Sequence, residues 1–129
     1  MQAAQTHGKV MTKGLCHVAI RVKDLDRSIR FYTDLFNLRV TDRSEDMAFM
    51  NTPDRPDSFA LFRSNEEVRH GGDLYHFGFF VNDENYDRAL KYIKENSINI
   101  LGGPGQWSSG ARFVYIEDPD GYRVQISTE

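Results

Sequence analysis

Two histidines, His17 and His76, begin two similar stretches of the chain. "HVAIRVKD" and "HFGFFVND" start at these residues and align without gaps from His to Asp, 59 residues apart. After a two-residue insertion, "DRSIRFY" from residue 26 matches "DRALKYI" from residue 87. Imidazole is the side chain best suited to metal binding and to proton transfer near neutral pH. Histidines at equivalent places in two repeated units therefore indicate a site built between two halves.

The first unit is predicted to contain a strand, a helix and three further strands. The strand covers 15–22, and Asp24 is the expected N-cap of the helix. Apolar side chains then recur at spacings of three and four, which predicts an amphipathic helix that ends at Asn37. These side chains are Leu25, Ile29, Tyr32 and Phe36. Three short strands follow over 38–43, 46–51 and 58–63.

The second unit repeats this order. It has a predicted strand over 75–81 and a helix over 84–95, and "GGPGQWSSG" is expected to be a loop because of its Gly and Pro content. "RFVYIE" and "YRVQIS" are predicted strands joined by "DPDG", whose Pro and Gly positions suit a type I turn. The pattern is βαβββ twice, an α+β fold with two four-stranded sheets that are each covered by one helix.

Alternation along the strands places both histidines on the faces that no helix covers. The predicted helix-covered faces hold Cys16, Val18, Ile20 and Val22 in the first strand, and Tyr75, Phe77, Phe79 and Val81 in the strand of the second unit. His17 and His76 point the other way. In the last strand, Arg123 and Gln125 share the corresponding uncovered face.

On these motifs the sequence resembles the vicinal oxygen chelate superfamily, which includes glyoxalase I, extradiol dioxygenases, methylmalonyl-CoA epimerase, fosfomycin-modifying enzymes and bleomycin-binding proteins. The resemblance rests on "CHVAIRVKDLDRSIRFYTDLFNLRV", "YHFGFFVND" and "FVYIEDPDGYRVQIS". It implies two βαβββ modules whose mixed sheets curl around a cleft that holds a divalent metal. It also implies a homodimer, because modules of this family often pair across two chains.

The chain divides on this basis into a flexible N-terminal tail and a single domain of the superfamily. The tail is 1–13, module one is 14–64, a charged linker with two glycines is 65–73, and module two is 74–129.

The resemblance implies that His17, His76 and Gln125 are the metal ligands. Gln125 stands where most metal-dependent relatives have Glu, and a further ligand position of glyoxalase I and the epimerase falls near Ala60, which cannot bind a metal. What remains is a three-ligand pattern like that of extradiol dioxygenases and fosfomycin enzymes. Such a site leaves open positions for substrate. The glutamine amide keeps a ligating oxygen but lacks the negative charge of a carboxylate.

Five other residues are candidates for the same cleft. Tyr115 coincides with a tyrosine that the dioxygenases place beside the metal, and it is the candidate acid or base or, alternatively, an amphipathic tyrosine of the core. Trp107 stands where those enzymes often have a histidine, and its indole would stack on a flat ligand or pack the loop against the sheet. Phe62 and Phe80 are expected to form aromatic walls. Arg123 would hold a carboxylate or phosphonate or, alternatively, be an exposed arginine at the end of a sheet.

Composition limits the classes of function. With 129 residues, 40% of them hydrophobic, and a net charge of −3, the chain fits one domain with its own core and lacks the basic balance of a nucleic-acid-binding protein. It has one cysteine, no apolar run long enough to cross a membrane and no signal peptide, so we expect a cytoplasmic protein.

Two functions remain open from the sequence. The first is a metal-dependent enzyme that uses an Fe(II)-, Mn(II)- or Zn(II)-like ion on a small molecule with adjacent oxygens, closest to the extradiol dioxygenase and glyoxalase-like members. The alternative is a metal-free protein that sequesters a small molecule, as the bleomycin-resistance relatives do. His17 and His76 favour the enzyme, whereas the uncharged Gln125 favours the binding protein.

Overall fold

Two helices and eight strands form along the part of the chain that the computed structural model describes, residues 9–13, 15, 17–68 and 74–129. The predicted core position of Cys16, the start of the predicted tail and residues 69–73 of the predicted linker lie outside the described residues. In chain order the elements are β1 (Val18–Val22), α1 (Leu25–Phe36), β2 (Arg39–Arg43), β3 (Met47–Asn51), β4 (Phe59–Arg63), β5 (Phe77–Phe80), α2 (Asp83–Glu95), β6 (Ile100–Gln106), β7 (Arg112–Glu117) and β8 (Arg123–Ser127).

The strands form two sheets of the same topology. The first has the order β1-β4-β3-β2 and the second the order β5-β8-β7-β6. In each sheet the first strand of the module pairs in parallel with the last, and the other pairs are antiparallel. The α+β fold with two βαβββ modules is therefore confirmed.

Helix α1 begins and ends where the sequence predicts, and α2 begins at Asp83, one residue before its predicted start. The Asp24 carboxylate accepts a hydrogen bond from the Arg27 amide at 3.0 Å, and Asn37 adopts the left-handed conformation that ends α1. Asn82 caps α2 by accepting a hydrogen bond from the Asn85 amide at 2.9 Å. Neither described helix is long and apolar enough to cross a membrane.

The helix-covered faces of the two modules pack against each other in one hydrophobic core. The ring of Phe59 on β4 lies 5.3 Å from that of Phe77 on β5, and Phe36 of α1 stacks on Phe79 at 4.2 Å. Each centroid distance joins an apolar residue of module one to one of module two. Because the covered faces turn inward, the uncovered faces of both sheets turn outward.

A buried polar network also joins the modules, around the turn that precedes β8. The Tyr32 hydroxyl donates to Asp118 Oδ2 at 2.6 Å, while Asp120 accepts from the Arg27 guanidinium at 3.2 Å and the Ser28 hydroxyl at 3.3 Å. Burial raises the pKa of Asp118, and the hydrogen bond from Tyr32 opposes this shift. Burial likewise raises the pKa of Tyr32 well above its usual value. The "DPDG" turn therefore attaches helix α1 to the start of β8.

The prediction that "GGPGQWSSG" is a loop is wrong over its first half. β6 extends to Gln106 and pairs with β7, so the loop begins only at Trp107. The glycines allow this pairing because aromatic rings of β7 lie directly over them. A Cβ atom on Gly105 would come within 2.6 Å of Phe113 Cζ, and one on Gly102 within 3.3 Å of Tyr115 Cδ2. Here glycine marks close approach of a ring to a strand rather than a turn.

Candidate metal and substrate site

Both histidines immediately precede the first strand of their modules. The predicted strands over 15–22 and 75–81 are shorter in the structure, beginning at Val18 and Phe77, but the equivalence of His17 and His76 is unchanged. Their side chains lie on the sides of the sheets that no helix covers. His17 is exposed, and His76 is half-buried.

The uncovered face of module one carries His17 together with apolar side chains. The His17 ring lies 6.2 Å from that of Phe49, and Phe49 meets Phe62 edge to face at 6.0 Å. Phe62 is 39% exposed, so it can form the aromatic wall that the sequence predicts. Ala19 pairs with Ala60 at the centre of this face, where neither side chain can bind a metal.

The uncovered face of module two brings two of the three predicted ligands together. His76 and Gln125 line one cavity of about 330 Å³, and the exposed ring of Phe80 forms part of its wall. Gln125 lies beside Gly78 of β5 in the strand register. A Cβ atom on Gly78 would come within 2.8 Å of Gln125 Cβ, so only glycine permits this approach of β5 to β8.

The two ring nitrogens of His76 have different environments. Nδ1 is buried and has no hydrogen-bond partner among the described residues, and nothing comparable holds for Nε2. Histidines that bind metals commonly donate their second N–H to a nearby acceptor, which fixes the tautomer. His76 lines the cavity, and no described residue fixes its tautomer through Nδ1.

Tyr115 lies beside both His76 and Gln125. It pairs with Gln125 in the β7–β8 register, and its ring centroid is 5.2 Å from that of His76. On its other side Phe113 lies at 5.8 Å, and Trp107 stacks on Phe113 at 4.5 Å. The indole packs on the sheet through one face and remains 41% exposed.

The prediction that Tyr75 lies on the helix-covered face is wrong. Tyr75 is 73% exposed, and its ring centroid lies 5.4 Å from Arg123 Cζ. The alternation that placed Tyr75 in the core holds only within a strand, and β5 does not begin until Phe77. Tyr115 lies at the same distance from Arg123, so the guanidinium has a tyrosine ring on two sides.

The chain thus gathers most of the predicted site residues on one face. His76, Gln125, Tyr115, Arg123, Phe80 and Trp107 belong to module two. His17 and Phe62 belong to module one, and neither lines the cavity that His76 and Gln125 share. The described ranges contain no group of three or more His, Cys, Asp or Glu side chains that could hold a metal within one chain.

The donors of module two suit two positions of the predicted three-ligand metal site. The imidazole of His76 suits Fe(II), Mn(II) and Zn(II), and the Gln125 side chain offers a neutral amide oxygen next to it. The cavity leaves room between the two because Gly78 has no side chain. One more donor from outside this face would complete the predicted three-ligand set.

Comparison with known proteins agrees with this architecture. The profile of the Glyoxalase/Bleomycin resistance protein/Dioxygenase superfamily matches residues 14–126. Metallothiol transferase FosB of Staphylococcus haemolyticus is 25% identical over 121 residues, which cover 92% of this chain and 85% of that protein. Lactoylglutathione lyase of Salmonella typhimurium is 28% identical over 123 residues, with 87% and 90% covered. The crystal structure of a glyoxalase/dioxygenase from Nostoc punctiforme superposes with a TM-score of 0.78 at 26% identity, over 94% of this chain and 97% of that one. The chain belongs to the Glyoxalase/Bleomycin resistance protein/Dioxygenase superfamily.

Proposed function

We propose that the protein is a divalent-metal-dependent enzyme that acts on a small molecule with adjacent oxygens, with extradiol-dioxygenase-like chemistry as the narrower proposal. The observation that carries the proposal is the cavity lined by both His76 and Gln125, with Tyr115 against the histidine ring. The names of the FosB and lactoylglutathione lyase relatives, a metallothiol transferase and a lyase, support small-molecule chemistry.

The proposed site needs a second copy of the chain. The uncovered faces of the two modules turn away from each other within one chain, and His17 is not part of the cavity of module two. β1 and β5 are both edge strands, so each can lie beside a strand of another copy. In the proposed homodimer, His17 of one chain joins His76 and Gln125 of the other.

In this site His17, His76 and Gln125 hold the ion. A bound Fe(II), Mn(II) or Zn(II) ion supplies a Lewis acid that stabilises negative charge on a substrate oxygen. The phenol oxygen of Tyr115 holds or transfers a proton beside His76. Phe62, Phe80 and Trp107 exclude water from a ligand bound beside the ion.

Elemental analysis of protein purified without chelators tests this proposal, with the Gln125→Glu variant measured alongside. We expect the wild type to bind one equivalent of metal after addition of Mn(II) or Fe(II), and Gln125→Glu to bind it more tightly because the carboxylate restores a negative charge. His76→Ala is the matched loss variant and should bind none. The proposal is wrong if neither wild type nor Gln125→Glu takes up stoichiometric metal.

A metal-free protein that sequesters a small molecule is the second candidate. Gln125 brings no charge to the cavity, and the 73% exposed ring of Phe80 offers an apolar wall without any metal. Metal uptake by Gln125→Glu together with an empty wild type would favour this candidate, since the glutamine would then mark a site that no longer binds metal.

A further inference from the structure

Arg123 is a half-buried cation on the proposed catalytic face, and no described carboxylate pairs with it. The described part of the chain contains six guanidinium–carboxylate contacts, and none of them involves Arg123. A buried or half-buried charge is normally compensated by an opposite charge or by several hydrogen bonds. Arg123 instead has aromatic rings as its neighbours.

A carboxylate stands close enough in the register to pair with Arg123 but does not. Glu117 on β7 is the direct partner of Arg123 on β8. Its carboxylate accepts a hydrogen bond from the Asn99 side chain at 3.4 Å instead. The guanidinium therefore keeps its donors for another acceptor.

Two tyrosines hold this guanidinium in place. Tyr75 and Tyr115 each have a ring centroid 5.4 Å from Arg123 Cζ, within the range of a cation–π contact. Contacts with ring faces fix a guanidinium without using its N–H groups, so these stay available for hydrogen bonds in the plane of the group.

The same two rings flank the candidate metal ligand. Tyr75 lies 4.9 Å and Tyr115 5.2 Å from the ring centroid of His76. Arg123 is also two residues before Gln125 on the same face of β8. Arg123 does not itself line the cavity of His76 and Gln125, but the same two tyrosine rings contact both His76 and Arg123.

We infer that Arg123, held between Tyr75 and Tyr115, is an oxyanion subsite, and that the substrate carries a carboxylate or a phosphate-type group in addition to its adjacent oxygens. The adjacent-oxygen part rests on the proposed function, whereas the oxyanion part rests on Arg123 and its neighbours alone. The planar guanidinium binds such groups through two parallel hydrogen bonds.

Calorimetric titration with matched pairs of ligands tests this subsite. The pairs are catechol with 3,4-dihydroxybenzoate, and glycerol with glycerol 3-phosphate, so each pair differs only by the acidic group. We expect at least one acid to bind about tenfold or more tightly than its neutral partner, which corresponds to a charge-assisted hydrogen bond. The pair with the larger ratio identifies the carboxylate or the phosphate as the preferred group.

Substitutions show which residues cause the tighter binding of the acid. Arg123→Gln should abolish it, Arg123→Lys should retain part of it, and Tyr75→Leu should reduce it about threefold through loss of one cation–π contact. Arg30→Gln, an exposed arginine on helix α1, is the matched control and should leave it unchanged.

The titrations are made on chelator-treated protein and on protein with added Mn(II), so that this inference and the proposed function fail separately. An acid preference in the chelator-treated protein supports the subsite even if no metal binds. Equal affinity within both pairs, no measurable binding of either acid, or a preference that survives in Arg123→Gln would overturn the subsite, whatever the metal content.

Discussion

The two modules share a topology but differ in what their uncovered faces carry. At the centre of module one, Ala19 pairs with Ala60, and at the equivalent place in module two Gly78 pairs with Gln125. The single imidazole of module one has the ring of Phe49 as its neighbour. His76 in module two has two tyrosines as neighbours, with a guanidinium beyond them.

In the proposed site, this difference would give the two modules of a repeated fold separate roles. The strand order and the helix-covered core are the same in both modules, because they depend on apolar periodicity that both retain. The uncovered faces do not contribute to that core, so their side chains can diverge without loss of the fold. Module two holds the polar groups, and module one offers one histidine and an aromatic wall.

The largest expected effect on stability comes from replacing the small residue at one of two equivalent positions, Gly78 or Ala19, by valine. Gly78→Val should lower the free energy of unfolding by about 3 kcal/mol, because its side chain would overlap the Gln125 backbone oxygen and Cβ, each 2.8 Å from a Cβ atom there. Ala19→Val, at the equivalent position of module one, should change it by less than about 0.5 kcal/mol, since Ala19 is exposed and already has a Cβ atom. Urea unfolding of both variants measures the contrast, and equal losses would show that the modules do not differ here.

A smaller effect on stability is expected from removing the buried hydroxyl group of Tyr32 in module one. Tyr32 occupies the position that Ile93 occupies in the second copy of the repeat, and its hydroxyl donates to Asp118. Tyr32→Phe should lower the free energy of unfolding by about 1–3 kcal/mol, because it leaves a buried carboxylate without this donor. Tyr92→Phe on α2 is the matched control. A loss no larger than that of the control would contradict the structural role of the network.

The cost of Tyr32→Phe should also depend on pH. Burial raises the pKa of Asp118 in the folded protein, so the stability that this shift contributes is full below the unfolded-state pKa and is lost as pH rises through the folded-state pKa. The hydrogen bond from Tyr32 acts in the opposite direction, because it favours the ionised carboxylate. The difference between wild type and Tyr32→Phe should therefore grow as pH rises through this window and be largest when Asp118 is ionised. Urea unfolding at a series of pH values measures it.

Most of the fold could be predicted because its signals are local. The repeat, the capping residues Asp24 and Asn37, and the period of the apolar residues predict the two helices and the strands other than β6 to within a few residues. The sequence does not predict strand β6, because glycine and proline usually indicate a loop. Here the glycines accommodate the rings of Phe113 and Tyr115, a contact that involves a different strand.

The site could be predicted only in part. Alternation placed His17, His76 and Gln125 on uncovered faces, because side-chain direction within a strand follows from the backbone. The contact between Tyr75 and Arg123 could not be predicted, since it depends on where β5 begins and on how two distant segments approach each other. No pattern in the sequence distinguishes this tyrosine from one in the core.

Metal binding by mixed dimers tests the central claim most directly, that one site combines His17 of one chain with His76 and Gln125 of another. His17→Ala and Gln125→Ala chains with different tags are expressed together, and the dimers that carry both tags are purified and analysed for bound metal. Each homodimeric variant should retain no stoichiometric metal, whereas the mixed dimer should regain one intact site per dimer. A mixed dimer as empty as the two variants, beside a wild type that binds metal, would contradict a site shared between chains.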